Sequence, residues 1–179
     1  MLQTPGAAIA RRRPARPFWE EKTLDEMTPE EWESLCDGCG QCCLYKIEDE
    51  DTAELFNTSV CCHLFDPQAG CCSDYTGRKE KVPACHILTP AKVASLPWLP
   101  ETCAYRLIHE GRLLYPWHPL RSGDPESVHR AGVSVRGRPL TPSNRAGGLA
   151  DYVVDWVFGN HLPPRLLSRR RRKKKRSSR

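Results

Sequence analysis

Residues 36–43 read CDGCGQCC, and no other stretch limits this chain so strongly. Four thiols, Cys36, Cys39, Cys42 and Cys43, stand within eight positions, with Gly38 and Gly40 between them. Six more follow at Cys61, Cys62, Cys71, Cys72, Cys85 and Cys103, and none lies outside residues 36–103. So local a group implies one cross-linked unit. A disulfide scaffold, a metal site and a redox dithiol would each account for it.

Compartment chooses among them. The N-terminal sequence has no apolar run of the roughly 7–15 residues that a secretory signal needs. No stretch approaches the ~18 apolar residues of a membrane span. A reducing cytosol is therefore expected, where stable disulfides are disfavoured. Composition supports a staple of some kind. The hydrophobic fraction is 39%, with 16 Pro and 12 Gly in 179 residues, against a usual apolar share of roughly 45–50%. A modest core of this kind gains from covalent or metal cross-links.

The net charge of +5 hides an asymmetry. From Arg165 onward the tail holds ten basic residues. Without them, 17 basic residues face 22 acidic ones, a net −5 for residues 1–164. Setting aside Arg11, Arg12, Arg13 and Arg16 as well leaves −9 for residues 19–164. An acidic body thus carries basic arms: a disordered arm over 1–17, a cysteine-cluster domain over 18–160 and a disordered tail over 161–179 are expected. Such a tail suits nonspecific contact with nucleic acid or another polyanion, or serves as a solubilising extension.

Local signals predict short elements. Thr28, Pro29 and Glu31 form an N-cap, an N1 proline and a capping box, so a helix runs toward Cys36. Leu44–Ile47 and Ser59–Phe65 have strand character and predict a β-hairpin turned by the acidic, Asn-containing segment between them. That acidic segment reads as a solvated turn rather than a carboxylate metal site. Residues 67–85 read as loop. Helices are predicted over Pro90–Leu96 and Pro100–Glu110, with Gly111 closing the second. A short strand near Val133–Val135 and a C-terminal helix through Val153, Val154 and Trp156 complete the reading. Trp98, Trp117, Trp156 and Tyr105 are candidate core residues. The expected fold is a small, loop-rich, metal-stapled α+β single domain with short helices and a β-hairpin.

The spacing C-x-x-C-x-x-C lets successive thiols curl around one centre. Three ligands on one loop with a remote fourth is how ferredoxin-type loops hold iron–sulfur clusters. Mononuclear zinc more often uses two separated C-x-x-C pairs, which the later thiols do not form. Adjacent cysteines diverge, to opposite faces in a strand, so one of Cys61–Cys62 and one of Cys71–Cys72 should stand apart. About eight ligands remain, enough for two four-coordinate ions, one polynuclear cluster, or one metal with spare thiols. His63, His86, His109, His118 and His129 read as surface groups or supports for the thiols rather than ligands. Arg78 or Arg106 would balance thiolate charge.

The segments WEEKTLDEMTPEEWESLCDGCGQCCL, CSDYTGR, VPAC, WLPETCAYRLIHEG and WHPLRSGDPESVHRAGVSVRG resemble the YcgN-type cysteine-cluster proteins of bacteria, relatives of the YkgJ zinc- or iron-chelating domain. The resemblance spans about Phe18 to Trp156. It implies a cytoplasmic protein that binds zinc or iron, with an iron–sulfur cluster as one form of the latter. By position it implies Cys36, Cys39, Cys42, Cys43, Cys62, Cys72, Cys85 and Cys103 as the ligands, with Cys61 and Cys71 as additions. The basic tail is also outside the family pattern. No Ser-His-Asp order, P-loop or dinucleotide fingerprint marks a catalytic site, so a non-catalytic role is expected. An iron–sulfur redox protein, or accessory of a modifying enzyme, is the alternative. A metal-stapled adaptor for a protein or nucleic acid is the third reading.

Overall fold

Two consecutive capping boxes begin the helical half of the molecule. Thr23 and Glu26 cap a 3-10 turn at Leu24–Glu26, and Thr28 and Glu31 cap a helix at Pro29–Ser34. The predicted N-cap, N1 proline and N3 glutamate are all found in place. Lys22 Nζ meets Glu31 Oε1 at 2.7 Å and links the chain ahead of both boxes to the second. Thr28→Ala removes the acceptor for the Glu31 N–H. It should cost about 1 kcal/mol in urea unfolding, the usual worth of an N-cap.

The computed structural model describes residues 16–157. The basic arm, apart from Arg16 and Pro17, and the basic tail lie outside the described residues, as does the expected domain end at 160. The helices are α1 (Phe18–Glu21), α2 (Pro29–Ser34), α3 (Arg78–Lys81), α4 (Pro90–Val93), α5 (Ala104–His109), α6 (Pro119–Ser122) and α7 (Ser127–Arg130). The strands are β1 (Leu44–Glu48), β2 (Leu55–Cys61), β3 (Phe65–Asp66), β4 (Cys71–Cys72) and β5 (Thr141–Pro142). The fold is α+β and loop-rich, as the sequence implied.

The hairpin is β1 against β2, antiparallel, with Leu44 opposite Cys61 and Ile47 opposite Phe56. The second strand starts at Leu55 rather than Ser59, because Phe56, Thr58 and Val60 alternate inward. Asn57 is therefore in the strand and not in the turn. Asp49 makes the turn instead: its Oδ1 accepts from the N–H of Asp51 and of Thr52, both at 3.1 Å. The strand ends at Cys61, and Phe65–Asp66 forms a separate two-stranded ribbon with Cys71–Cys72. Asp66 Oδ1 closes that ribbon by accepting from Gln68 and Ala69. Residues 67–85 were expected as plain loop, yet they supply this strand and α3.

Other differences have local causes. The helix expected from Pro100 begins at Ala104, because a turn closed by Cys103 N–H donating to Pro100 O (2.9 Å) precedes it. Gly111 closes it with φ +67°. The helix expected over Pro90–Leu96 ends at Val93. No strand forms at Val133–Val135; the third strand of the sheet is β5, parallel to β2 with Val60 opposite Thr141. The C-terminal helix is replaced by a 3-10 turn at Leu149–Tyr152 and an extended segment. There Val153 bridges Thr58. Two adjacent valines have stiff χ1 angles that suit extended backbone better than helix.

The interior divides into three clusters. Leu24, Leu35, Val93, Leu99, Leu107 and Leu114 build the helical one, with Trp98 packed against it. Leu44, Cys61, Phe65, Val135 and Val154 build the sheet side, with Trp156 against it. Cys39, Val128 and Val133 form a small third, with Trp117 beside it. The cysteine loop runs where the three meet.

Candidate metal centre

Helix α2 delivers the first thiol. Its last turn buries Leu35 completely, and the Leu35 carbonyl is held 3.0 Å from His118 Nε2. His118 Nδ1 accepts from the Leu120 N–H at 3.1 Å, so Nε2 carries the proton and donates. Both ring nitrogens are used, and His118 is buried at 2% exposure. The histidine thus fixes the carbonyl next to Cys36. Burial is the main cause that lowers its pKa.

The loop that follows is pinned at each step. Asp37 Oδ1 accepts from the Cys39 N–H at 3.0 Å. Cys39 O accepts from Val135 N–H at 2.8 Å. Gly40 has φ +72°, and a Cβ there would sit 2.6 Å from the Phe65 ring and 2.7 Å from Val135 Cγ2. Gln41, buried at 1% exposure, donates from Nε2 to Val133 O at 2.7 Å. Residues 41–43 then form one 3-10 turn leading into β1.

The later thiols lie on separate elements. Cys62 N–H donates to Cys43 O at 3.0 Å. Cys72 pairs with Phe65. Cys103 is the N-cap residue of α5, and Tyr105 ties α5 to α2 through its hydroxyl to Trp32 O at 3.1 Å. Cys85 follows α3, with Lys79 Nζ on its carbonyl at 3.1 Å. Cys61 is fully buried among apolar side chains of the sheet-side core, and Cys71 is exposed.

The electrostatics join these positions. Burial pushes Cys36 up to about 11, and the Cys42 thiolate adds to it. Burial likewise pushes Cys103 up to about 12, partly offset by the Arg106 backbone N–H, with Cys42 again raising it. Cys39 is raised by burial, Asp37 and Cys42. Cys42 is lowered, first by its hydrogen bond with Cys43 and further by Lys46. Cys43 is raised because it keeps the shared proton. Burial also raises Cys85, where Arg78 opposes the effect and Cys62 and Cys72 reinforce it.

Cys36 and Cys42 are exposed. The surrounding protein still raises Cys36, whereas at Cys42 the hydrogen bond with Cys43 outweighs desolvation and lowers it.

Two charged residues at this site were not anticipated. Lys46 donates from Nζ to Gln41 O at 3.1 Å and Leu44 O at 3.0 Å, and Cys42, Cys43 and Cys39 offset the burial that lowers its pKa. The strand alternation could have found it, since Lys46 stands two residues from inward-facing Leu44. Asp37 Oδ2 is buried without a hydrogen-bond partner. Of the two arginines expected to balance charge, Arg78 does act on Cys85. The Arg106 guanidinium instead binds Glu110 Oε1 at 2.7 Å and Leu99 O at 2.9 Å. Only its backbone N–H serves a thiol, Cys103.

Among the described residues, no three Cys, His, Asp or Glu side chains converge on one point as ligands of an ion do. The donor chemistry nonetheless fits a thiophilic metal. It offers desolvated sulfurs beside the half-buried positive charge of Lys46, and thiolates suit zinc or iron rather than magnesium or calcium.

A UPF0260 protein of Rhizorhabdus wittichii is 59% identical over 140 residues, which make up 78% of this chain and 95% of that protein. This chain belongs to the UPF0260 family. A UPF0260 protein of Granulibacter bethesdensis is 57% identical over 142 residues, 79% of this chain and 85% of that one. One of Mesorhizobium japonicum is 62% identical over 122 residues, 68% of this chain and 82% of that one. The CxxCxxCC family model, described as "Putative zinc- or iron-chelating domain", matches residues 35–104. That span contains all ten cysteines of the UPF0260 chain, and the resemblance read from its motifs is borne out. No solved structure matches it.

Proposed function

We propose that this UPF0260 protein binds zinc or iron through Cys36, Cys39, Cys42, Cys43, Cys62, Cys72, Cys85 and Cys103. The observation that carries this reading is the desolvation of Cys36, Cys39, Cys42, Cys43, Cys85 and Cys103, with the half-buried Lys46 beside Cys42, Cys43 and Cys39. Each of these eight sulfurs acts on, or is acted on by, another of the eight. Neutral thiols gain nothing from such crowding, whereas thiolates shared by a cation do. The metal would supply cross-linking, and in an iron–sulfur form, electron transfer. Lys46 would offset the negative charge that thiolate ligands bring.

The deciding experiment is metal and acid-labile sulfide analysis of protein purified without oxygen, with a visible spectrum of the same sample. Colourless protein holding zinc supports a structural or chelating domain. Iron with sulfide and visible absorbance supports the redox alternative. Protein that holds neither zinc nor iron ends the reading. Lys46→Met keeps the apolar stem and removes the charge. It should weaken metal binding about 10- to 100-fold, the usual effect of losing a group that supports ligands, in competition with a chromophoric chelator.

The reading places the protein in a reducing compartment, the cytosol. Among the described residues, no helix is long and apolar enough to cross a membrane. The ten basic residues from Arg165 support nonspecific polyanion contact as a property of the tail. Removing residues 165–179 should abolish salt-sensitive binding to duplex DNA and leave metal content unchanged. Unchanged DNA binding would move that contact from the tail to the rest of the chain, where Arg11, Arg12, Arg13 and Arg16 form the other basic arm.

A further inference from the structure

Away from the cysteine loop, α1 and the turn after it, α4, and the C-terminal end of α5 enclose a groove of about 780 Å³. Its apolar lining comes from Trp19, Leu24, Ala91, Ala94, Ile108 and Leu113. Leu24 belongs to the helical core, and Trp19 and Ile108 pack against it. Leu113 is 69% exposed, the most open large apolar side chain among the described residues.

The rim of the groove is charged, and its charges are not matched. Lys22 is held by Glu31 at 2.7 Å, and Arg112 by Glu110 at 3.2 Å. Glu20, Glu21 and Asp25 also line the groove and are exposed. No cation among the described residues pairs with these three carboxylates. An apolar groove with such a rim fits a peptide that sets aliphatic side chains next to arginines.

The chain carries such a peptide close by. Residues 7–13 read AAIARRR. Arg16 itself lines the groove, and Pro17 enters α1 through extended backbone, φ −66° and ψ 151°. Arg13 stands three residues ahead of Arg16, within ~10 Å, and Ile9 seven ahead, within ~25 Å. So short a tether presents the segment at an effective concentration in the millimolar range, where contacts as weak as exposed ion pairs are enough to hold it.

We propose that this groove is the docking site of the chain's own N-terminal arm, with Ala7–Ala10 on the apolar lining and Arg11–Arg13 against Glu20, Glu21 and Asp25. The inference is independent of the metal-binding reading. The docked arm would occupy the surface that a partner's basic peptide would otherwise take.

Trypsin cleavage of the full-length chain tests it, since trypsin cuts after Arg11 and Arg12 and is blocked at Arg13 by Pro14. The reference is a synthetic peptide of residues 1–26, which has the same local sequence without the groove. Early N-terminal cuts, read by mass spectrometry, should be about tenfold slower in the protein, a closed-to-open ratio equal to ~1.4 kcal/mol. Salt should shrink that difference. Glu20→Gln/Glu21→Gln/Asp25→Asn, at three exposed positions, should bring the rate close to that of the peptide. Ala91→Trp, which fills the groove from another exposed position, should do the same. Equal rates in protein and peptide overturn the proposal. Protection that survives both variants overturns it too, because the arm is then held elsewhere. Protection that grows with protein concentration also overturns it, in favour of the groove of a second copy.

Discussion

Stripping the proposed zinc or iron from the full-length protein is expected to unfold it. The three clusters are small, and the cysteine loop is what they share. Cys103 packs on the helical cluster, Cys43 and Cys62 on the sheet side, and Cys39 belongs to the third. Structural thiolate sites contribute about 10–16 kcal/mol of apparent binding energy, while whole domains are stable by only ~5–15 kcal/mol. Loss of the ion should therefore collapse the cooperative melt, with circular dichroism reporting the loss and added ion restoring it. The affinity should also fall as pH falls. Thiols held near 11 and 12, Cys36 and Cys103, must release protons to bind, so acid competes with metal. An unchanged melting temperature after exhaustive chelation would sink the idea of a structural metal.

The second large effect is expected from one methyl group. Gly40→Ala puts a Cβ 2.6 Å from the Phe65 ring and 2.7 Å from Val135, at a φ of +72°. The left-handed backbone costs about 1–3 kcal/mol for a non-glycine residue. Overpacking against two buried side chains adds about 1–3 kcal/mol. Gly38 is the control. Its φ is +71°, but nothing lies within 4 Å of its Cβ position, so Gly38→Ala should show the backbone cost alone. Comparable losses for the two in denaturant unfolding would mean that the Phe65–Val135 contact does not hold the loop.

Much of this was legible in the sequence where the signal was local. The α2 cap is written in Thr28, Pro29 and Glu31, and the hairpin in alternating residues. The thiol motif and the family likeness needed only spacing. What escaped was set by distant partners. Val133–Val135 looks like a strand by composition, but its hydrogen bonds go to Gln41 and Cys39, far away in the chain. Val153 and Val154 were read as helix because their partners, Thr58 and Asn57, lie in another element. His118 looked like a surface group because nothing near it in sequence foretells the Leu35 carbonyl. Lys46 is half-buried beside Cys42, Cys43 and Cys39, a position that composition does not foretell because lysine is mostly exposed.

The bond between Cys39 O and Val135 N–H also orders events during synthesis. Cys103, the last thiol, leaves the ribosome well before Val135 does. All ten sulfurs are thus made before the segment that clamps the loop. When residues 133–135 arrive, they pin Cys39 and Gln41 from outside the cysteine-bearing span. A chain cut short after Cys103 would therefore hold every thiol and still lack the clamp on its loop.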